Sequence, residues 1–519
     1  MPNAALLKNQ HVVVVGAGIG GLVSALLLAN KGVRVSLVEA AATPGGKMRR
    51  LIVGGAPVDS GPTVFTMRWV FEQIFAQVGC NLADVVKLEP LTILCRHAWR
   101  NGDERLDLFT DVARSADAIA RFSSPAEALR FKAFCAKAKE IYNLLEAPYI
   151  RSSRPTLLGM GLDLGPSGLA ALASLGPFAS LWQALGQYFH DPRLLQLFGR
   201  YATYCGASPW AAPATLMLVA HVELDGVWSV DGGMFALAKA VADQAQAQGA
   251  TLRYNSPCKR ILVANGRACG IELASGEQLS ADAVVFNGDT SALAQGLLGD
   301  AAKKAARVTP LDKRSLSAVT WSVNARTSGF PLVRHNVFFD DDYKLEFDEI
   351  FRQHKLPSRG TVYVCAQDRT DATQSMVGNE RLLCLVNAPA TGDQAAGQNL
   401  TPSEIQSCQE QSFKLLGQCG LALDLSSATA QSVLTTPGDF NQLFPGTGGA
   451  LYGQAFTSLN GWMTPFQRPS SASKLPGLYL AGGSVHPGPG VPMAALSGQL
   501  AAATVMAHLA KRNTTPRGA

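Results

Sequence analysis

HVVVVGAGIGGLVSALLLANKGVRVSLVE, residues 11–39, is the stretch that decides the fold of this chain. Its four consecutive valines, residues 12–15, predict a buried parallel strand. Gly16, Gly18 and Gly21 then form a G-x-G-x-x-G pattern that opens an apolar helix, and VRVSLV predicts a second strand after it. This strand–helix–strand order is the context in which such a glycine pattern indicates a dinucleotide site.

Each part of the pattern has its own physical task. Gly16 permits a tight turn, Gly18 lets the backbone approach a pyrophosphate, and Gly21 lets helix and strand pack closely. The helix start, which includes Gly20, offers free N–H groups and positive potential to phosphates. Glu39 follows Gly21 by 18 residues, where a carboxylate can accept hydrogen bonds from ribose hydroxyls. Glu39 disfavours NADP, because an arginine is expected where a 2′-phosphate binds, and leaves NAD and FAD.

The loop after Glu39 adds a second set of candidate cofactor contacts. The pair Gly45–Gly46 lets backbone run close beside a ribityl and pyrophosphate group. We expect Lys47 or Arg49 to contact the cofactor or to line its site, whereas Arg50 is interpreted as a surface residue. The candidates in this region are Gly46, Lys47, Asp59, Gly61 and Pro62.

A third glycine-rich segment lies near the C-terminus, GLYLAGGSVHPGPGVPMAALSG at residues 477–498. LYLAG predicts a short strand that stops at a glycine pair, and an alanine-rich helix is predicted from about residue 493 to 509. A strand, a glycine turn and a helix N-terminus again make a site for negative charge. A simple packing helix would explain the alanines but not the density of glycine and proline before them. The candidate cofactor contacts here are Gly482, Gly483, Val491, Pro492 and Met493.

Length and the position of these segments predict the domain organisation. A chain of 519 residues is too long for one ordinary domain, and both of its ends contribute to one cofactor site. We expect an α/β fold with a discontinuous cofactor-binding domain at 10–80, 226–295 and 474–511. A helical region that contacts substrate or membrane is expected at 81–225, and a mixed α+β substrate-binding domain at 296–473.

Composition excludes several function classes. Net charge is +6 without any block of Lys or Arg, so nucleic acid is not expected as a partner, whereas anionic lipid is compatible. Ten cysteines form no C-x-x-C and have no zinc spacing, so we expect no metal and reduced thiols in the cytoplasm. Residues 164–189 carry no charged side chain, but Pro166 and Pro177 interrupt them. Two short apolar helices are predicted there, either core or in contact with the inner face of the cell membrane.

Six segments together resemble one enzyme family, the carotenoid desaturases of the bacterial phytoene desaturase type. These segments are VVVVGAGIGGL (12–22), PGGK (44–47), DSGPTVF (59–65), RYATYCGASPW (200–210), GVWSVDGGM (226–234) and LYLAGGSVHPGPGVP (478–492). Further segments are similar to the 1-hydroxycarotenoid 3,4-desaturases within that family. They are GPTVFTMRWVFE (61–72), LTILCRHAW (91–99), HNVFFDDDY (335–343), TVYVCAQDR (361–369) and FPGTGGALYG (444–453).

The resemblance implies an FAD enzyme that introduces the C3–C4 double bond of an acyclic 1-hydroxycarotenoid. It implies a two-domain Rossmann-like fold of the amine oxidase and phytoene desaturase type, with the C-terminal segment over the flavin. Cys258 is then expected near the adenine through its backbone. The electron acceptor stays open between oxygen and a quinone. Phytoene desaturase, flavin amine or porphyrinogen oxidase, and a non-catalytic FAD-fold protein are the alternatives.

Residues that serve the chemistry are harder to select from sequence. His486 in the flavin loop and Arg151 beside Tyr149 are candidates for a catalytic role, with a loop-bracing histidine as the alternative for His486. Arg96, His97 and His335 are candidates for contact with the 1-hydroxy end of the substrate. Nine aromatic residues are candidates for a substrate tunnel, although most buried aromatics pack in a core: Phe178, Trp182, Tyr188, Phe189, Phe198, Tyr201, Tyr204, Trp210 and Trp228.

Overall fold

The described residues of the computed structural model are 9–102, 104–153, 156–173, 179–370, 376–395, 399–455 and 468–514. In chain order their strands are β1 His11–Val15, β2 Arg34–Val38, β3 Arg50–Val53, β4 Ala56–Asp59, β5 Leu88–Pro90, β6 Ile93–Trp99, β7 Arg105–Phe109, β8 Trp228–Val230, β9 Thr251–Arg253, β10 Cys258–Ala264, β11 Arg267–Leu273, β12 Gln278–Ser280, β13 Ala283–Phe286, β14 Ser317–Gly329, β15 His335–Phe339, β16 Val362–Ala366, β17 Glu380–Ala388, β18 Leu421–Asp424, β19 Gln431–Thr435 and β20 Leu478–Leu480.

Helices occupy the stretches between these strands. In chain order they are α1 Ile19–Asn30, α2 Arg68–Gln77, α3 Leu82–Val85, α4 Val112–Phe122, α5 Pro125–Leu145, α6 Leu157–Ala173, α7 Leu181–Leu185, α8 Pro192–Gly199, α9 Leu218–Leu224, α10 Met234–Ala247, α11 Thr290–Ala294, α12 Tyr343–Arg352, α13 Pro402–Gln418, α14 Pro437–Leu443 and α15 Val491–Thr514. Short 3₁₀ segments lie at Arg200–Cys205, Ala214–Met217, Asp300–Ala305 and Leu311–Lys313, and a π-helical turn at Glu146–Ile150.

The valine run forms the central strand of a five-stranded parallel sheet, with the order β20-β13-β1-β2-β9. Valines 12–15 are buried because helices cover the sheet. The strand–helix–strand prediction for residues 11–39 is confirmed, and so is the short strand before the C-terminal glycine pair. The sheet thus joins the two ends of the chain in one layer.

An antiparallel meander of β10, β11 and β12 precedes the strand that returns to this sheet. Its first turn has left-handed backbone at Asn265 (φ 50°) and Gly266 (φ 71°), as the Asn-Gly pair predicts for a tight hairpin. The next turn, at 275–276, also has left-handed backbone, at Gly276 (φ 89°).

The second large sheet has eight strands, in the order β18-β14-β17-β16-β15-β6-β7 with β19 also paired to β14. Successive residues of a strand face opposite sides, so Val319, Trp321 and Val323 pack toward α13. Thr320 and Ser322 therefore face the other side, where α4, α5 and the helices of 181–224 pack. Strands β6 and β7 belong to this sheet although they come from the predicted helical region. The predicted domain boundaries stay a prediction.

The charge-free stretch 164–189 contains parts of two helices, as predicted, and residues 174–178 lie outside the described part. Helix α6 is interrupted at Gly165 (φ 63°), immediately before Pro166. Helix α7 is core, since Leu181 and Leu185 are fully buried. Contact of this stretch with a membrane stays a prediction. Among the described helices, α15 over Val491–Arg512 is long and apolar enough to cross a membrane, and it packs against α1.

Helices α1 and α15 meet backbone to backbone. A Cβ atom added at Gly498 would lie 2.2 Å from the carbonyl oxygen of Gly20, closer than atoms in native proteins come. The hydroxyl of Ser24 donates to the carbonyls of both Gly20 (2.8 Å) and Gly498 (2.9 Å). Glycine at 498 is therefore required by the distance between the two helices.

Substitution Gly498→Ala should lower the free energy of unfolding by about 1–3 kcal/mol, because an added methyl group overpacks this contact. Chemical denaturation of the FAD-loaded protein measures the change. Gly417→Ala is the matched control: Gly417 also lies in a helix, α13, but a Cβ atom there meets nothing within 4 Å. The control should be neutral or stabilising by up to about 1 kcal/mol. Equal destabilisation by both changes would contradict the packing argument.

Candidate active site

A cavity of about 1070 Å³ opens between the parallel sheet, the eight-stranded sheet and the helices of 145–224. The structure brings most of the predicted cofactor residues together on its wall. These are Gly16, Gly18, Gly20, Glu39, Gly46, Lys47, Gly61, Pro62, Cys258, Gly482, Gly483, Val491, Pro492 and Met493. Their contact with a cofactor stays a prediction, but they come from four separate segments and converge on one space.

The glycine loop after β1 and the glycine pair after β2 lie against each other. Gly16 has φ 98°, which a residue with a side chain rarely adopts. A Cβ atom at Gly46 would lie 3.1 Å from Cα of Gly18, and the N–H of Gly45 donates to the carbonyl of Ala17 (2.8 Å). The bare backbone leaves room on the cavity side for a group as bulky as a pyrophosphate.

Gly21 does not line the cavity. A Cβ atom there would lie 2.1 Å from the carbonyl oxygen of Gly16, so this glycine allows α1 to start directly beside β1. This placement agrees with the packing task that the pattern predicts for Gly21.

Glu39 is held at the cavity by the backbone. Its carboxylate accepts hydrogen bonds from the N–H groups of Ala17 (2.6 Å) and Ala41 (2.8 Å). Each oxygen keeps further lone-pair capacity, so hydrogen bonds from ribose hydroxyls remain available. Cys258 lines the cavity on the same side, and burial raises the pKa of its thiol to about 12. The thiol is protonated at neutral pH.

Two helix N-termini open on the same cavity. The first residues of α1 and of α15 line it, and their unpaired N–H groups supply positive potential at two places. Lys47 lies between the domains, where its Nζ donates to the carbonyl of Leu451 (2.6 Å). Burial lowers the pKa of Lys47, and the charge of Asp289 opposes this shift. The bare backbone at Gly16, Gly18 and Gly46 forms what we call the glycine cradle. Together with the carboxylate of Glu39 and the two helix N-termini, the glycine cradle fits FAD.

Asn287 is a residue that the sequence analysis did not select. Its side-chain Nδ2 donates to the carbonyl of Gly16 (3.3 Å), and Cβ atoms at Gly18 or Gly20 would lie 2.7 Å from its amide group. The same side chain lies 3.0 Å from a Cβ atom built at Gly482. Asn287 therefore ties the N-terminal and C-terminal glycine segments together. Its one signal in the sequence is its position directly after the closing strand, β13.

Asp59 is buried but does not line the cavity. Its carboxylate forms an ion pair with Arg50 (3.2 Å) and accepts a hydrogen bond from the N–H of Phe235 (3.2 Å) at the start of α10. It thus links β4 to α10, and the neighbours Gly61 and Pro62 face the cavity instead. The cofactor contact predicted for Asp59 has no support in this placement, and Arg50 is half-buried rather than a free surface residue.

His486 and Arg151 also lie off the wall. His486 Nε2 lies 2.9 Å from the carbonyl oxygen of Ser152, and its ring meets Tyr149 edge to face. Burial lowers the pKa of His486 to about 4, so its ring is neutral at pH 7. Arg151 pairs with Glu146 (2.6 Å) and stacks on Trp69. Both residues brace local structure, and a catalytic role for them has no contact in the described residues to support it.

The wall that continues beyond the glycine cradle is aliphatic. It is formed by Leu145, Ile150, Leu164, Leu216, Leu218, Val219, Val222, Leu383 and Leu385. Of the nine aromatic residues proposed for a tunnel, only Tyr204 lines the cavity among those that the structure describes, and Phe178 lies outside the described part. The others pack in the helical core or, for Trp228, against Phe65. Core packing is therefore the correct interpretation for them.

Polar residues interrupt this aliphatic wall, and we call five of them the polar end of the cavity: Arg200, Tyr204, Thr320, Tyr343 and Tyr363. Arg200 and Tyr204 come from a 3₁₀ segment, Tyr343 begins α12, and Thr320 and Tyr363 lie on β14 and β16, which pair with opposite edges of β17. The sequence analysis selected only Tyr204 from this set, because its members are brought together only by the tertiary fold.

The three residues predicted to meet a substrate hydroxyl do not reach the cavity. Arg96 forms an ion pair with Asp107 (2.6 Å), and His97 Nδ1 bonds to the carbonyl of Leu106 (3.0 Å). His335 lies behind Tyr363, with its Nδ1 2.7 Å from the tyrosine hydroxyl. The placement of Arg96 and His97 gives no support to direct contact with the substrate, and Tyr363 stands between His335 and the cavity.

The parallel sheet, the glycine cradle and the adjoining second sheet define a two-domain FAD-dependent oxidoreductase. The chain belongs to the flavin containing amine oxidoreductase family, whose model matches residues 19–506. It is 62% identical to a hydroxyneurosporene desaturase of Rubrivivax gelatinosus, over 97% of this chain and 94% of the relative. A hydroxyneurosporene desaturase of Cereibacter sphaeroides is 44% identical over 97% and 98%. A crystal structure of an oxidoreductase from Methanosarcina mazei has a TM-score of 0.59 at 16% identity, covering 96% and 100%.

Substitution Gly18→Val should abolish uptake of FAD, because a side chain at 18 collides with Asn287 and fills the cradle. The absorbance of the purified protein near the flavin bands, relative to that at 280 nm for the unaltered protein, measures the loading. Gly417→Val, at the open helix position, is the control and should stay fully yellow. A fully loaded Gly18→Val protein would refute the cradle.

Proposed function

We propose that this protein desaturates an acyclic 1-hydroxycarotenoid at C3–C4. The observation that carries the proposal is one cavity that joins an FAD-fitting glycine cradle to an aliphatic wall with a polar end. The names of the two relatives described above agree with this substrate class. The volume exceeds the upper range of about 1000 Å³ for sites of single small ligands, as a site for cofactor and substrate together requires.

The reaction removes two hydrogens from adjacent sp³ carbons next to a polyene. FAD, when bound, accepts a hydride. The chain itself supplies the environment: the leucine and valine side chains of the wall bind the hydrocarbon and exclude water. Such a wall holds the C3–C4 bond near the cofactor through position rather than through charge.

FAD-loaded protein in liposomes should convert 1-hydroxyneurosporene to a product with one additional conjugated double bond. The longer chromophore shifts the visible absorption to the red, and chromatography identifies the product. Phytoene, supplied in parallel, should be converted poorly. Conversion of phytoene with the hydroxylated carotenoid left unchanged would instead identify a phytoene desaturase.

We also propose that the protein acts in the cytoplasm at the inner face of the cell membrane. Leu164 of α6 lines the cavity, whereas Leu162 on the same helix is 77% exposed. The cavity thus comes close to the surface beside an exposed apolar side chain, where a lipid-dissolved substrate would enter.

Substitution Leu162→Glu should weaken sedimentation with anionic lipid vesicles, because a charged side chain replaces an apolar contact with the bilayer. Val377→Glu is the matched control, since Val377 is 99% exposed but lies on the loop before β17, far along the chain from α6. The fraction of protein bound to vesicles is measured by centrifugation over the same series of lipid concentrations for the unaltered protein and the two variants. Identical binding by Leu162→Glu would rule out α6 as the contact.

For the terminal electron acceptor we propose oxygen or a quinone. The desaturated substrate yields two electrons and two protons, which must leave the enzyme before the next turnover. Anaerobic turnover with added quinone, compared with turnover in air, separates the two acceptors. Failure of both to support repeated turnover would point to a soluble carrier.

A further inference from the structure

The guanidinium of Arg200 lies on the cavity wall without a hydrogen-bond partner among the described residues. Its contacts are the rings of Tyr204, 5.4 Å from the guanidinium carbon to the ring centroid, and of Tyr201 at 6.0 Å. Its Nε is buried and has no hydrogen-bond partner among the described residues. A guanidinium carries five N–H donors, and leaving them unsatisfied away from water is costly. A ligand atom that accepts hydrogen bonds would remove this cost.

Tyr204 supplies the complementary group. Its hydroxyl donates to the buried carboxylate of Glu223, and this leaves the lone pairs of the tyrosine oxygen available as acceptors. Arg200 and Tyr204 are therefore a donor and an acceptor side by side on one wall. An alcohol, which accepts and donates one hydrogen bond each, is complementary to this pair.

Two further groups of the polar end lack partners. The hydroxyls of Thr320 and Tyr343 have no hydrogen bond among the described residues, although these residues are only 3% and 7% exposed. The large majority of buried side-chain polar atoms in native proteins have a hydrogen-bond partner. This concentration of unpaired groups on the wall of one cavity is expected for a ligand that carries a polar group, and a pure hydrocarbon cannot pair with them.

The polar end lies close to the predicted cofactor residues Gly61 and Pro62. Thr63 follows Pro62 directly, and its hydroxyl lies 2.6 Å from that of Tyr363. Tyr363 in turn bonds to His335, whose pKa is lowered to about 3 by burial and then by the charges of Arg334 and Arg200. Tyr363 thus connects the polar end to the segment that holds Gly61 and Pro62.

The geometry of the substrate requires that a polar subsite lie close to the reacting carbon atoms. In a 1-hydroxycarotenoid three bonds of about 1.5 Å separate the oxygen from C3, so the two atoms are at most about 4 Å apart. A group that recognises the hydroxyl must then lie one hydrogen bond, about 3 Å, beyond it. Recognition has to occur beside the reacting bond and not at a distant end of the cavity.

We infer that Arg200 and Tyr204 form the subsite for the tertiary hydroxyl of the substrate. An N–H of Arg200 donates to the hydroxyl oxygen, and the hydroxyl hydrogen is donated to Tyr204 Oη. The inference rests on the proposed function and names its specificity-determining residues. A carotenoid without the hydroxyl leaves the guanidinium unpaired and is rejected for that reason.

The test compares 1-hydroxyneurosporene with neurosporene, which differs at the hydroxylated end. Dissociation constants are measured by quenching of tryptophan fluorescence of the FAD-loaded protein in detergent, and kcat/KM is measured in liposomes. The unaltered protein should prefer the hydroxylated carotenoid by on the order of 100-fold or more. Tyr204→Phe should weaken binding of the hydroxylated carotenoid about tenfold, and Arg200→Met should abolish the preference.

Tyr188→Phe is the matched control, because Tyr188 packs against Phe134 in the helical core and does not line the cavity. It should keep the preference of the unaltered protein. FAD content and thermal unfolding of every variant establish that it is folded and loaded. Loss of FAD from Arg200→Met would overturn the inference by making Arg200 a cofactor contact.

The remaining outcomes separate the inference from the proposed function. If the protein desaturates both carotenoids and binds them equally, the subsite is refuted and the desaturase activity stands. If it desaturates neither, the proposed function fails, and the ratio of dissociation constants still decides whether Arg200 and Tyr204 bind the hydroxyl. A preference that survives both Arg200→Met and Tyr204→Phe would also refute the subsite.

Discussion

The backbone contact between the first and the last helix is the constraint on which the site depends. Gly20 and Gly498 bring α1 and α15 so close that no side chain fits between them, and Ser24 bonds to both backbones. Because the N-termini of these helices open on one cavity, this contact sets the distance between the two positive ends that face it. Asn287 completes the arrangement by filling the space between the N-terminal and C-terminal glycine segments.

Local patterns were sufficient to predict the cofactor half of the fold. The structure of residues 11–39 is determined by local requirements, because a buried parallel strand needs valines and a tight turn needs glycine. These requirements do not depend on the rest of the chain. The same holds for the hairpin at Asn265 and Gly266, where left-handed backbone selects the residue types. Such requirements act within a few residues, so a single sequence displays them.

The sequence predicted those parts of the candidate site that are formed by backbone, such as the glycine segments. It did not predict the parts that depend on the direction in which a side chain points. Asp59 was selected together with Gly61 and Pro62, yet it points to α10 while its neighbours face the cavity. The direction of a side chain at a strand end is decided by which layer packs on it, and that layer is formed by residues 176 positions away along the chain. Arg200 and Tyr363 were missed for the same reason, since only the tertiary fold places both of them on the wall of one cavity.

Aliphatic walls bind hydrocarbons well but do not fix their position. Dispersion and hydrophobic contacts are non-directional, so a polyene can slide along leucine side chains at little cost. A hydrogen bond has a defined length and direction, and one such bond at the end of the chain determines which carbon pair faces the cofactor. In the proposed reaction the hydroxyl would therefore have two effects at once. It would select the substrate, and it would place the C3–C4 bond, because only a few covalent bonds separate the hydrogen-bonded oxygen from the carbons that lose hydrogen.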